Sequence, residues 1–193
     1  MNILIIYTHP NPLSFNHAIL ETVKNAAEAK GHNVCVRDLY ALGFNPVLTP
    51  EDLTAIQSGK TPEAIKTEQE FIEKSDLVIA VHPIWWTGLP AMYKGYIDRV
   101  FSYGFAYAVT EKGIIGLLGG KKILVFNTTG TPDEVYVPIG MHESLKMTSD
   151  KGIYEFSDIK VLGHHFFGGV TMADDATRKG YLEKIVKILD EHV

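Results

Sequence analysis

Apolar residues in this chain fall in short unbroken runs rather than in strict alternation. Ile3 to Ile6, Asp76 to Val81 and Lys121 to Phe126 are each short enough for a strand and hydrophobic on both faces. That is the pattern of strands buried inside a parallel sheet. Asn33 to Arg37 and Lys160 to Phe166 read as two further strands. Between the strands the apolar spacing becomes helical. Ile19, Leu20 and Val23 follow Ser14, a good N-cap, and the helix predicted over Ser14 to Lys30 stops at Gly31. Thr49-Pro50 and Thr61-Pro62 each open a helix by N-cap and N1-proline logic, the second reaching Lys74. Another helix begins near Leu89-Pro90 and extends to Phe101, and one lies between Met147 and Ser157. The last opens at Thr171 to Asp175, with Ile185, Ile188 and Leu189 on its apolar face. Asp38 to Thr49 is a turn-rich connection strewn with apolar residues, expected to pack on the surface of the core.

Strands alternating with helices predict an α/β doubly wound fold: a five-stranded parallel sheet in order 2-1-3-4-5, with helices on both faces. No repeat, low-complexity tract or linker interrupts it, so residues 1–193 read as a single domain. In such sheets ligands bind beyond the carboxyl ends of the strands, where strand order reverses. The segments after strands one, three and four then share one rim: His9 to Asn16, Pro83 to Gly88 and Asn127 to Thr131. The first offers Ser14, Asn16 and the free amides of a helix N-terminus, which suit a phosphate. The second sets Trp85 and Trp86 in a loop, where their apolar surface is wasted unless a ligand or partner covers it. Packing of both tryptophans under neighbouring loops is the plain alternative. In the third, Gly130 lets the backbone come close to a ligand. A phosphate on the first loop and a flat ring between the other two describe a flavin site. A receiver domain of the same topology would need acidic residues where Tyr7, Thr8 and His9 stand.

Composition narrows the partners. A net charge of −5 and a pI near 5.9 leave no basic footprint, which argues against nucleic acid and leaves any phosphate to backbone dipoles and a few side chains. The one cysteine, Cys35, sits in a predicted strand as an inert thiol and allows no internal disulfide. No run approaches the ~18 apolar residues of a membrane span. The N-terminal stretch is strand-like rather than a signal peptide, so a cytoplasmic protein with no membrane insertion is expected. Ser58-Gly59-Lys60-Thr61 ends like a P-loop, but Thr54 stands where the first glycine belongs and no strand precedes it. No cluster has metal-ligand spacing.

The motifs Thr8-His9, Ser14-Phe15-Asn16, Asp38-Leu39-Tyr40, Phe44-Asn45-Pro46 and Pro83-x-x-Trp86-x-Gly88-x-Pro90 run in order along the chain. Lys94-Gly95, Arg99-Val100-Phe101, Gly104-Phe105-Ala106-Tyr107 and Thr128-Thr129-Gly130 follow. Together they resemble the NAD(P)H:quinone oxidoreductases, the DT-diaphorase group of the flavodoxin-like flavoproteins. The resemblance implies flavin phosphates on His9, Ser14, Phe15 and Asn16, and the flavin ring along Pro83, Ile84, Trp85, Trp86 and Thr87. Thr128, Thr129, Gly130 and Thr131 would meet the pyrimidine end. Tyr136 and His142 keep the spacing of a family Tyr and His that stabilise reduced flavin; hydride addition leaves negative charge at that end, which a hydroxyl or imidazolium offsets. Without the family, Tyr136 reads as a surface loop residue and His142 as a helix residue.

Tyr107, with Trp86 and His142, would shape a nicotinamide and quinone pocket at a homodimer interface, although simple dimer packing serves Tyr107 and its apolar neighbours equally. Arg178 resembles the arginine that meets the FAD tail, so FAD is implied over FMN, the cofactor of shorter bacterial relatives. The chain departs from the family at Val109, which replaces a second pocket tyrosine, and at Thr131, which replaces a second glycine. The Asp52 to Asp76 segment is short, with no match to the glutamine near the adenine, and no counterpart of the longest members' C-terminal domain is expected. His164 and His165 read as structural. The resulting expectation is two-electron hydride transfer from NAD(P)H through bound flavin to a quinone-like acceptor. A flavodoxin-like electron carrier, or an ancillary reductase that regulates a cation-efflux transporter, is the rival reading.

Overall fold

A computed structural model describes residues 1–193. The strands are β1 (Asn2–Tyr7), β2 (Asn33–Asp38), β3 (Leu77–Pro83), β4 (Tyr107–Thr110), β5 (Gly113–Gly116), β6 (Lys122–Thr128) and β7 (Lys160–Phe167). The main helices are α1 (Phe15–Ala29), α2 (Pro50–Gln57), α3 (Glu63–Lys74), α4 (Ala91–Val100), α5 (Asp133–Tyr136), α6 (Met141–Lys146) and α7 (Asp175–His192). Parallel pairing builds a five-stranded sheet in order β2-β1-β3-β6-β7, the topology expected from the apolar runs.

The doubly apolar strands are doubly covered. Leu4, Ile6, Val78, Ala80, Ile123 and Val125 face α3 and α4 through Ile65, Ile72, Tyr93, Tyr96 and Val100. Ile3, Ile5, Tyr7, Ile79, Val81, Leu124 and Phe126 face α1 and α7 through Ile19, Val23, Ile185 and Leu189. Each buried side chain of this size contributes roughly 1.5–3 kcal/mol, which fixes strand register by face. The family-like motifs that lie away from the rim hold this frame. A Cβ on Gly95 would overlap the Pro46 backbone. Arg99 forks onto the Asp52 carboxylate at 2.9 Å and onto the Asn45 carbonyl at 2.7 Å. Both contacts fasten the long connection after β2 to α4.

Local differences have local causes. Thr49 caps α2 in a full capping box with Asp52, but α3 starts without a side-chain cap. There Pro62 itself takes the cap position, with an extended ψ of 141°. The antiparallel β4–β5 hairpin was not expected. The helix placed between Met147 and Ser157 begins earlier, at Met141 after a left-handed Gly140, and widens into a π-helix over Met147–Tyr154. A bulge interrupts the β6–β7 register between Ile123 and Leu124. No helix is long and apolar enough to cross a membrane.

Candidate active site

The loops after β1, β3, β6 and β7 enclose a cleft of about 940 Å³ at the carboxyl edge of the sheet. In the first loop the Ser14 hydroxyl accepts the His17 amide at 3.2 Å as N-cap of α1 and lies 3.5 Å from the Tyr7 hydroxyl. The first turn of α1 therefore opens into the cleft with free amides and positive partial charge. The buried Asn16 donates to Thr128 Oγ1 at 2.7 Å, tying the first loop to the third, and its own Oδ1 is buried without a partner. His9 sits edge-on to Trp85, ring centres 5.7 Å apart, and burial holds it below the usual imidazole range against the opposing Asn11 carbonyl.

The second loop is strained. Trp85 and Gly88 exchange both backbone hydrogen bonds, at 3.2 and 3.1 Å, around Trp86 and Thr87. Those two residues have φ of 50° and 54°. A turn with two left-handed residues normally takes Asn-Gly, and holding side-chain-bearing residues there costs roughly 1–2 kcal/mol each. The strain leaves Trp86 fully exposed (100%) at the cleft rim. In the third loop the Ile84 amide donates to the Thr128 carbonyl at 2.8 Å, which ties this wall to the start of the tryptophan loop.

His9, Ser14, Phe15, Asn16, Pro83, Ile84, Trp85, Trp86, Thr128, Gly130, Thr131, Tyr136 and Arg178 all line the cleft. Thr87, Thr129, Tyr107 and His142 do not. Thr87 lies just past the tip of the turn, and Thr129 is buried, its hydroxyl donating to the Thr131 carbonyl at 2.6 Å. His142 stands behind Tyr136, rings perpendicular at 6.2 Å, and stacks on Phe166 at 4.1 Å. Its Nε2 is 3.5 Å from the Asp133 carboxylate without a hydrogen bond. Burial lowers the His142 pKa and Asp133 partly opposes it. Tyr107 lies on the hairpin, against Tyr103 and Phe156 at 5.8 and 5.5 Å. Leu13, Ala18, Val170 and Thr171 also line the cleft, Leu13 within the first expected rim segment and the other three outside all of them. The signal for Val170 and Thr171 was the Gly168-Gly169 pair after the fifth strand: a side chain on Gly168 would overlap Asp133.

At the far end of the cleft Arg178 donates to the Val170 carbonyl at 3.2 Å, while its Nε is buried with no partner. A cationic donor without an acceptor, at the end of a cleft that starts on helix amides, fits an anionic group. A model of the flavodoxin-like fold family matches residues 1–189. The chain belongs to this family, which here includes the NAD(P)H:quinone oxidoreductases. It is 39% identical to an NAD(P)H oxidoreductase of Haemophilus influenzae described as uncharacterized, over 95% of this chain and 91% of that one. It is 32% identical to the ribosyldihydronicotinamide dehydrogenase [quinone] of Pongo abelii, over 92% and 86%. Among solved structures, the NAD(P)H:quinone oxidoreductase of Methanothermobacter marburgensis superposes with a TM-score of 0.84 at 28% identity, covering 97% and 93% of the two chains.

Proposed function

We propose that this chain is an NAD(P)H-dependent flavoprotein reductase that passes two electrons as hydride to a quinone or similar acceptor. The observation that carries it is the single cleft joining the amides of α1, the Trp85–Trp86 turn and Arg178. The orphaned Asn16 Oδ1 and Arg178 Nε are what a bound flavin nucleotide would satisfy. When bound, the flavin supplies a carrier that takes hydride at N5 and develops negative charge at its pyrimidine end. The chain's own groups do the rest. Ser14, Phe15 and Asn16 hold phosphate at a helix N-terminus. Trp85 and Trp86 cover the ring and exclude water from the reacting face. Tyr136 donates its hydroxyl at the pyrimidine end. His142 stands behind Tyr136 with its Nε2 toward the Asp133 carboxylate, which would favour the protonated ring where negative charge develops.

FAD is the flavin we assign, because the cleft runs on past the phosphate loop to Ala18, Thr171 and Arg178, where FMN has no atoms to place. A homodimer is part of the same proposal. The hairpin and its surroundings expose Val109 (61%), Ile114 (59%), Tyr103 (48%) and Phe156 (44%), apolar surface of the kind a partner covers. It brings Tyr107 to a face from which a second copy can wall the pocket. Chromophore release from the purified protein tests the assignment. FAD is the expected product, FMN would overturn the tail site, and a protein that takes up neither flavin would overturn the function.

A further inference from the structure

A chain of buried polar groups runs across three neighbouring strands beneath the candidate ring site. Asp150, on the π-helix, accepts from His164 Nδ1 at 2.8 Å. The other ring nitrogen, His164 Nε2, lies 2.7 Å from Asn127 Oδ1. Asn127 Nδ2 reaches the His82 carbonyl at 3.0 Å and lies 3.2 Å from both ring nitrogens of His82, and His82 Nδ1 meets the Pro83 carbonyl at 3.0 Å. The carbonyl and carboxylate acceptors along the chain set its directions. A carbonyl only accepts, so the Asn127 amide must point its NH2 at His82 and its oxygen at His164. Asn127 Oδ1 and an ionised Asp150 are both acceptors, so both nitrogens of His164 donate. Both nitrogens of His164 thus face acceptors, the arrangement of a doubly protonated ring, and it is almost wholly enclosed, with 2% of its side chain exposed. His82 is a neutral Nδ1–H tautomer at the far end.

The chain touches both walls of the site. Its last acceptor, Pro83, opens the strained tryptophan loop. At the other end His164 stacks on Phe166 at 4.3 Å, and the opposite face of that ring carries His142 at 4.1 Å. Two irregular features deliver these residues. The β6–β7 bulge sets the register that brings His164 to Asn127. The π-helix turns Ser149 and Asp150 inward, both buried, with the Ser149 hydroxyl shared between the Leu145 carbonyl at 2.8 Å and Asp150 at 3.1 Å. π-helical turns occur frequently at functional sites.

We propose that Asp150, His164, Asn127 and His82 are positioning residues for the ring site, ordered by a buried imidazolium at His164 that aligns Pro83 on one wall and, through Phe166, His142 on the other. Asp150 from the π-helix bonds His164 directly, His82 on β3, His142 on α6 and His165 on β7 feel its charge, and Tyr154 and Lys146 act one group further out, on Asp150 and on His142 and His165. Burial holds His82, His142 and His165 below the usual range, and positive charge at His164 pushes each the same way. The inference rests on the proposed ring site for its purpose, but its protonation pattern is readable without any flavin.

Nitrogen-15 spectra of the purified protein, labelled at histidine and recorded near neutral pH, test it. His164 is expected to carry protons on both nitrogens and His82 on Nδ1 alone. Asp150→Asn is expected to strip one proton from His164, shift the His142 resonances, and slow reduction by NAD(P)H about tenfold or more with little change in KM, as misplacement of site groups does. A singly protonated His164 in the wild type overturns the inference, as does an Asp150→Asn protein with unchanged His142 resonances and rate. Ser149→Ala removes the hydroxyl that Asp150 shares with the Leu145 carbonyl while keeping every member of the chain. It is expected to move His164 resonances in the same direction by less, which keeps the test open if Asp150→Asn does not fold; no movement counts against the proposal. A protein without flavin would sink the proposed function and leave the nitrogen-15 result standing.

Discussion

Arg178→Ala separates the tail of the site from its ring. In the fold this arginine does little: one bond to the Val170 carbonyl at 3.2 Å and a carboxylate of exposed Asp175 at 3.9 Å. Such exposed contacts are worth under about 1 kcal/mol, so the urea midpoint should barely move. Toward a nucleotide the same guanidinium offers a buried Nε with nothing to bond. A charge-assisted hydrogen bond contributes roughly 1.5–3 kcal/mol, about tenfold to a hundredfold in Kd. Apoprotein titrated with FAD and with FMN, followed by quenching of flavin fluorescence, gives both affinities. FAD affinity should fall by that factor in Arg178→Ala while FMN affinity stays within about twofold. Equal losses for the two flavins would place Arg178 at the phosphate they share. No loss for either would refute the reasoning about its orphaned nitrogen.

Three further outcomes follow from the geometry. Gly95→Ala drives a methyl into the Pro46 backbone, which cannot yield as a side chain can; a loss of about 2–3 kcal/mol in urea unfolding is expected, and a loss below about 0.5 kcal/mol would contradict the packing. Trp86→Ala removes a fully exposed ring, so the melting temperature should hold while flavin retention on gel filtration and the rate of NAD(P)H oxidation fall. His82 is buried and neutral in the native state, its pKa lowered from 6.5 to about 3 by desolvation. The unfolded chain binds that proton first, so the stability is whole above 6.5 and drains as pH falls toward 3, by about 2 kcal/mol at pH 5. Denaturation measured from pH 7 to 4 should therefore steepen toward acid, and His82→Asn should flatten the curve by about one proton.

The sheet was legible because burying both faces of a parallel strand demands an unbroken apolar run, and no other element of that length makes the same demand. The Ser14 cap was equally plain: a hydroxyl before Ile19, Leu20 and Val23 has one natural use, and the structure puts it on the His17 amide. The hairpin was not, because Tyr107–Thr110 and Gly113–Gly116 are short and largely exposed, so neither burial nor alternation marks them. The rim was read from three strand ends, and the fourth was missed although Gly168-Gly169 announced a close approach. His164 was read as structural, since its partner Asp150 lies 14 residues away in a π-helix, a geometry with no hydrophobic period to reveal it. Local chemistry shows in sequence; the meeting of a bulge with a π-helix does not.

In the proposed function one cleft accepts hydride from a nicotinamide and hands it to a quinone. The most direct test is anaerobic: record the visible spectrum of the flavin-loaded protein, add NADPH or NADH, then add a quinone. The flavin absorbance should bleach within seconds and return on quinone addition, with one hydroquinone formed per nicotinamide consumed. A bound flavin that stays oxidised in the presence of both nicotinamides would contradict it.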